Sequence, residues 1–474
     1  MNSKQHFWWM PFLVVLLVQS CKMGPNYSRP EVDVQVDWDS LAVEEDLLSD
    51  LKWWDLYQDT ILGNYIKQAL TDNFDVRKSV ARLKEVKAFR RIESSNLYPT
   101  INGNAYAEGE ASGASPNKLD EEYQVSAQLA WEVDLWGKLR RGVEAANADY
   151  IASYEAYRAL MLSTVAEVAT VYFNLQDVQN RLRITRRTLV ARQEALRIAE
   201  LRFKGGLVSE IEFQQASVEL AQTKALLPGL ERRVRLSMNE LSVLLGRPPA
   251  ELEMGIALEN QPVIPSIPLG LSSLLLERRP DIRLVEQNLV AANAEIGIAK
   301  ANFYPSFVIT GELGYQSSSL SNFVGNGFNY WDYLGDLITP IFTAGRNKAN
   351  LEATRARYEQ RLYDYQSVVL TGLQEVSDGL ISFQKAREQR QAQAELVKAS
   401  EEYFRLAQLQ YLNGIVNYLD VLDAQRRLFD AEISESAAIR DQLVSMVFLY
   451  KALGGGWDPE SMQPEIVPKE MQEQ

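Results

Sequence analysis

The chain repeats itself, and that repeat limits what it can fold into more than any other feature does. Asp75-Val76-Arg77 returns as Asp281-Ile282-Arg283, and Asn96-Leu97-Tyr98-Pro99 returns as Asn302-Phe303-Tyr304-Pro305, both at an offset of 206 residues. Farther along the offset becomes 208: Gly137 matches Gly345, Glu167-Val168 matches Glu375-Val376, and Leu245-Gly246 matches Leu453-Gly454. Phe203, Gly206 and Val208 match Tyr411, Gly414 and Val416 in the same register. A register held this long means two copies of one unit of about 200 residues. The 474 residues are therefore one plan built twice, where length alone suggests about three domains.

Each unit opens with a helix-forming stretch, residues 71–97 in the first copy, rich in Ala, Arg, Lys, Glu and Leu and stopped by Tyr98-Pro99. Strand signals follow. Tyr123, Val125, Ala127, Leu129 and Trp131 alternate with Gln124, Ser126, Gln128 and Ala130, and Phe307, Ile309, Gly311, Leu313 and Tyr315 alternate likewise in the second copy. Period two with one apolar face fits a soluble sandwich, and equally a membrane barrel with lipid on one side and water on the other. Trp131, Trp136, Tyr330, Trp331 and Tyr333 suit an interfacial aromatic girdle.

Residues 138–203 hold no proline, and as a helix they would run about 100 Å. Tyr154, Met161, Val168, Leu175, Leu182, Leu189, Leu196 and Phe203 recur every seven residues. Their counterparts in 346–411 are apolar except Arg390, so both helices carry a coiled-coil seam. Gly205-Gly206 and Asn413-Gly414 turn the chain into return helices over 207–245 and 415–453, the first expected to kink at Pro228-Gly229. A short helix plus a return helix has the length of a long one, so the two could stack end to end beside it. Residues 31–70, 247–280 and 454–474 are proline-rich or mixed and would form a belt around the middle.

Composition removes several functions. The formal charge is −14, which argues against binding nucleic acid through its backbone. The only histidine is His6 and the only cysteine is Cys21. Histidine catalysis, histidine-ligated zinc and an intrachain disulfide are then unavailable to a mature chain; carboxylate catalysis is still allowed. No phosphate-binding glycine loop, metal-ligand cluster or nucleophile motif stands out, and no cofactor is expected.

The N-terminus explains where those two residues sit. Lys4 precedes an apolar core from Phe7 to Val18, too short to span a bilayer and suited to a signal peptide. It ends Leu17-Val18-Gln19-Ser20-Cys21, which resembles a bacterial lipobox. Acylation of Cys21 would anchor the mature chain in outer-membrane lipid, since each buried methylene contributes about 0.8 kcal/mol. An ordinary signal peptide with an incidental cysteine is the other reading.

Four stretches carry a family resemblance: Cys21-Lys22-Met23-Gly24-Pro25-Asn26-Tyr27-Ser28-Arg29-Pro30, the Trp53-Trp54 and Tyr57 cluster, Trp131-Glu132-Val133-Asp134-Leu135-Trp136-Gly137-Lys138-Leu139-Arg140, and Glu277-Arg278-Arg279-Pro280-Asp281-Ile282-Arg283. With the rest of the mature chain they resemble the TolC-like outer membrane efflux family, in its OprM/NodT lipoprotein branch. The resemblance implies a mostly α fold with a small β part and two tandem repeats. It implies a homotrimer with a twelve-stranded outer-membrane β-barrel, four strands per protomer, on a long periplasmic α-helical barrel. The expected organisation is a signal peptide over 1–20, a lipidated segment and belt over 21–70, a first repeat over 71–246, an equatorial linker over 247–280, a second repeat over 281–454 and a tail over 455–474.

The resemblance also assigns roles. Asp420 and Asp423, three apart on one helix face, match the family's acidic rings at the periplasmic mouth; by spacing alone they are equally solvated surface acids. Glu212 is equivalent to Asp420, with Glu210 beside it, while Gln215 stands where the second copy has Asp423. The turns holding Gly206, Leu207 and Val208, and Gly414, Ile415 and Val416, match the tips that meet a periplasmic adaptor (membrane fusion) protein; an ordinary helical turn needs the same glycines. An inner-membrane transporter of the RND type would supply energy. The implied function is a passive, gated exit duct for drugs or small toxic compounds, with no enzymatic activity. Metal-ion efflux, type I protein secretion, a structural coiled-coil lipoprotein and a carboxylate-dependent envelope hydrolase are the alternatives.

Overall fold

The computed structural model describes residues 22–31, 57–111, 119–262, 279–323 and 328–455. The signal peptide, Cys21, Trp53, Trp54 and most of the tail lie outside them.

The first described helix, α1 (Thr60–Asp72), starts inside the stretch expected to be belt and runs two residues past its end. Asp59 caps it, its Oδ1 accepting from the amides of Ile61 (3.0 Å) and Leu62 (3.2 Å). Leu62, Tyr65, Ile66 and Ala69 make its buried stripe. The repeats then run in parallel. The first holds α2 (Phe74–Ser95), β1 (Thr100–Ala111), β2 (Leu119–Val133), α3 (Lys138–Lys204) and α4 (Glu210–Leu244). The second holds α5 (Pro280–Ala301), β3 (Ser306–Ser317), β4 (Phe328–Ile338), α6 (Arg346–Leu412) and α7 (Tyr418–Ala452). The short helices have 22 residues in both copies, the long ones 67 and the return ones 35. Short and return helices end a few residues inside the limits expected from the sequence, and α4 is helical through Pro228.

The repeats are not the compact units. By their described residues, one unit falls within Met1–Val32, Arg82–Glu155 and Arg283–Ser367, and the other within Asp33–Ala81, Ala156–Ile282 and Val368–Gln474. Each draws on both copies. In the first unit the reason is strand pairing: the antiparallel sheet runs β1-β2-β3-β4, so β2 of one repeat pairs with β3 of the other.

In the second unit the reason is helix packing. Its main core takes Val168, Tyr172, Phe173 and Leu175 from α3, Leu241 from α4, Val376, Leu380 and Phe383 from α6, and Leu443, Met446 and Leu449 from α7. The heptad positions Met161, Val168, Leu175 and Leu182 are buried, whereas Phe203 at the turn is 38% exposed. Arg390, the break in the second heptad, donates to Gln442 of α7 (2.9 Å), and burial pulls its guanidinium below the ordinary value, with Glu435 opposing.

The return and short helices meet end to end in both copies. Asn73 caps α2 through the amides of Asp75 and Val76 and donates to Leu244 O at the end of α4 (3.0 Å). At the equivalent position, Arg279 donates to Ala452 O at the end of α7 (2.6 Å) and also holds Asp281 and Glu375. Two different side chains answer one requirement, a donor for the carbonyls a helix leaves unbonded at its end.

A buried polar knot ties the linker to α1 and α3. Tyr172 donates to Asp59 Oδ2 (2.7 Å) and accepts from Gly255 N (2.9 Å), and Gln261 donates to the same carboxylate (3.1 Å). Burial, then Asp59, pushes the Tyr172 phenol well above its ordinary range. Tyr172→Phe should cost about 1–3 kcal/mol, because it leaves buried partners unmatched. Guanidinium unfolding followed by helical circular dichroism measures this; a neutral substitution would show the knot to be incidental.

Candidate functional site

The two hairpin turns of the second unit share one geometry. Gly206 (φ +70°) and Gly414 (φ +74°) take the left-handed conformation that ends α3 and α6. Gly206 N bonds to Phe203 O and Leu207 N to Arg202 O, both at 2.9 Å. Gly414 N bonds to Tyr411 O (3.0 Å) and Ile415 N to Gln410 O (2.9 Å). This is the paired-bond termination of a helix that glycine favours. It leaves Leu207 at 78% and Ile415 at 71% exposure, with Val208 and Val416 half-buried beside them.

Asp420 and Asp423 lie in the first two turns of α7, both half-buried in the single chain. Asn417 caps the helix by accepting from Asp420 N (3.2 Å), and an acid in this first turn is favoured by the helix dipole. Asp423 accepts from Arg427 Nε (2.7 Å) and Tyr403 OH (3.3 Å). The Arg427 bond, then its charge and Tyr403, hold the Asp423 carboxyl below its ordinary value of 3.8. In the first copy Glu210 and Glu212 occupy the first turn of α4. Glu210 lines a cleft of about 400 Å³ with Ile211, Gln214, Gln215, Val218 and Arg426.

Behind the turns lies a cluster that sequence reasoning missed. Glu219 of α4 is 1% exposed and Arg192 of α3 is 5% exposed. Arg192 Nη2 approaches Glu219 Oε2 at 3.0 Å, and its Nη1 donates to Glu219 O (3.0 Å) and Thr223 Oγ1 (2.6 Å). Arg426 of α7 reaches the other oxygen, Nε to Oε1 at 2.6 Å. One buried carboxylate thus joins the two hairpins. Burial pulls Arg192 below its ordinary value while Glu219 pushes back, and the bond to Glu219 raises Arg426. The available signal was broken symmetry: the counterpart of Glu219 is Arg427, and that of Arg192 is Ser400.

In the first unit the strand register sorts the sheet into two faces. Tyr106, Gln124, Gln316 and Phe328 share a row, so even-numbered residues lie together. That face carries Glu108, Glu110, Asp120, Glu122, Glu132, Glu312, Asp332 and Asp336, and the four strands contain no lysine or arginine. Glu312 accepts from Gln124 (2.7 Å), Gln128 (3.1 Å) and Tyr330 (2.7 Å). The opposite face is apolar apart from Glu121, Ser317 and Asn329, and it leaves Ile101 (71%), Leu313 (63%), Trp331 (71%) and Tyr333 (77%) exposed. Trp331 and Tyr333 stack at 6.1 Å inside β4. Trp131 donates to Leu97 O (3.1 Å) and Trp136, past the end of β2, donates to Pro305 O (2.7 Å).

Two predictions follow from the charges of the hairpins. Glu219→Ala leaves Arg192 buried without its partner and should cost about 3–5 kcal/mol. Arg426→Ala removes a half-exposed partner and should cost about 1 kcal/mol or less. Equal losses in a guanidinium titration would show that burial does not set the hierarchy. For Asp423, a depressed carboxyl contributes stability above its ordinary pKa and loses it as pH falls through the folded value. Thermal midpoints should therefore drop between about pH 5 and pH 2 by a step that Asp423→Asn removes; an unchanged profile in the variant would contradict it.

The chain matches the model of the outer membrane efflux protein family over residues 65–247 and 271–455, one match per repeat. It is 33% identical to the solvent efflux pump outer membrane protein SrpC of Pseudomonas putida over 465 residues, 94% of this chain and 98% of the relative. It is 32% identical to outer membrane protein OprJ of Pseudomonas aeruginosa, covering 94% and 95%. Among solved structures it is similar to the outer-membrane channel OprN (TM-score 0.86, 27% identity, 93% of this chain and 100% of that one). It is also similar to the open state of the Neisseria gonorrhoeae MtrE outer membrane channel (TM-score 0.84, 32% identity, 92% and 98%).

Proposed function

The chain belongs to the outer membrane efflux protein family, and on that premise we propose that three copies form one gated exit duct. As a member of that family it is an outer-membrane efflux channel, and it acts without covalent chemistry of its own. The observation that carries the trimeric reading is the sheet. It has four strands, one apolar and one carboxylate-rich face, and no partner strand for the outer edges of β1 and β4 among the described residues. Unbonded strand edges are not tolerated in lipid, so four strands must close with others. Three copies give twelve, with the apolar faces outward and the carboxylate faces lining the lumen.

Support for the remaining parts comes from the residues already described. The exposed turn residues Leu207 and Ile415 and the half-buried Val208 and Val416, with Gly206 and Gly414 between the helices, would meet a periplasmic adaptor. The adaptor would link the duct to an inner-membrane transporter of the RND type. Asp420 and Asp423 would form two stacked rings of three carboxylates at the mouth. Trp131, Trp136, Trp331 and Tyr333 would sit at the membrane interfaces. Cys21 would carry the lipid. The cargo would be small toxic organic compounds, in keeping with the relative named for solvent efflux.

Single-channel conductance in planar bilayers tests this. Purified protein should give discrete pores of one trimer-sized unit, and the Asp420→Ala/Asp423→Ala variant should open more readily or lose cation preference. A folded monomer that stays out of bilayers would sink the duct.

A further inference from the structure

The segment that follows Cys21 is seated in a built groove of the first unit. Arg141, in the first turn of α3, is 1% exposed. Its Nε donates to Met23 O (3.0 Å), and its Nη2 donates to Gly24 O (3.3 Å), Pro25 O (3.0 Å) and Asn26 Oδ1 (3.2 Å). Its Nη1 is held by Glu144, which also pairs with Lys22. From the other repeat, Asn293 of α5 donates to Pro25 O (3.0 Å). Glu286 accepts from Arg29 Nε (2.7 Å) and Tyr27 OH (3.2 Å).

The floor of this groove is shaped for backbone. A Cβ on Gly24 would lie 2.6 Å from Gly297 Cα, and one on Gly297 would lie 2.6 Å from Met23 O. Met23 N donates to Trp136 O (3.0 Å), three residues past the end of β2. A buried guanidinium is costly unless its donors are matched. Here the strap's own carbonyls do most of that matching, so Arg141 and the strap each need the other.

We propose that Arg141 is the positioning residue for the lipidated end of the chain. It clamps residues 22–29 to the base of the sheet, so that the anchor enters the membrane beside Trp136. Freed, those eight residues would let the acylated end wander by about 26 Å at roughly 3.3 Å per residue. The anchoring role rests on the lipid reading of Cys21, but the clamp does not.

Hydrogen exchange read by mass spectrometry tests the clamp on the purified full-length protein. The variants are Arg141→Lys, which keeps the charge but replaces the planar five-donor fork with three donors on one nitrogen, too few for the strap and Glu144 together, and Gly24→Ala, which blocks the strap from its own side and leaves every helix residue unsubstituted. A lipid-free form, carrying an ordinary signal peptide and Cys21→Ser, runs beside them. Strap amides should exchange at least roughly tenfold faster in both variants, lipidated or not, while peptides from 142–155 and 287–296 stay unchanged. Unchanged strap exchange in Arg141→Lys, or equal loosening of the helices, would overturn the clamp. The mass of the N-terminal peptide reads acylation separately. An unacylated wild-type terminus with the exchange effect intact would overturn the anchoring role and leave the strap a purely structural contact.

Discussion

An open four-stranded sheet with one apolar face sets the terms for this molecule. Every backbone amide and carbonyl on an outer strand edge needs a partner, and in hydrocarbon water cannot supply one. β1 and β4 expose such edges, and the face they share holds Ile101, Leu313, Trp331 and Tyr333 largely uncovered. Among the described residues of a single chain nothing satisfies both demands. Closing the sheet with further copies, as proposed, would bond the edges and turn the apolar faces to lipid in one step. The carboxylates of the other face would then be left to water, where their charge is affordable.

The duplication shows how two copies of one sequence plan come to do different work. Where the requirement is generic the copies solve it separately: Asn73 and Arg279 occupy equivalent positions, and each bonds the last carbonyls of its return helix. Where the hairpins must be joined to each other the copies diverge. Glu219 faces Arg192 and Arg426, and the equivalent positions in the other copy offer no second triad. Such a junction can exist only once if it is to tie unlike partners.

The features legible in the sequence are those that repeat. The 206- and 208-residue offsets, the heptads and the alternation of β2 and β3 all rest on patterns spread over many residues. The turn glycines were legible because a left-handed conformation has few alternatives. β1 was hidden because, past Ile101, its apolar face is built from Gly103, Ala105, Ala107 and Gly109, too small to register as hydrophobic alternation. α1 was hidden by its setting among mixed residues, although Asp59 and the Leu62, Tyr65, Ile66, Ala69 spacing mark it once sought. The triad was hidden for a deeper reason. A buried Glu–Arg pair is made by residues far apart in sequence, and each of them reads locally as a surface charge on a helix.

The start of α7 shows why charge sequence matters more than charge count. Asp420, Asp423, Arg426 and Arg427 follow within eight residues, nominally neutral. The arginines are committed elsewhere, Arg426 inward to Glu219 and Arg427 back to Asp423. For Asp420 the bond described is through its backbone amide, to Asn417. Bringing three copies of this face together would therefore concentrate negative charge at Asp420 first, while Asp423 arrives already screened by its own helix. Like charges at close range resist approach unless a cation or a proton intervenes. A mouth built from this segment would be pushed open by Asp420, while Val421 and Leu422, buried in the core of the hairpins, hold α7 against its own protomer. On the proposed gate, that opposition would let a small displacement of α7, such as one released by loosening Arg426 from Glu219, shift the balance at the mouth.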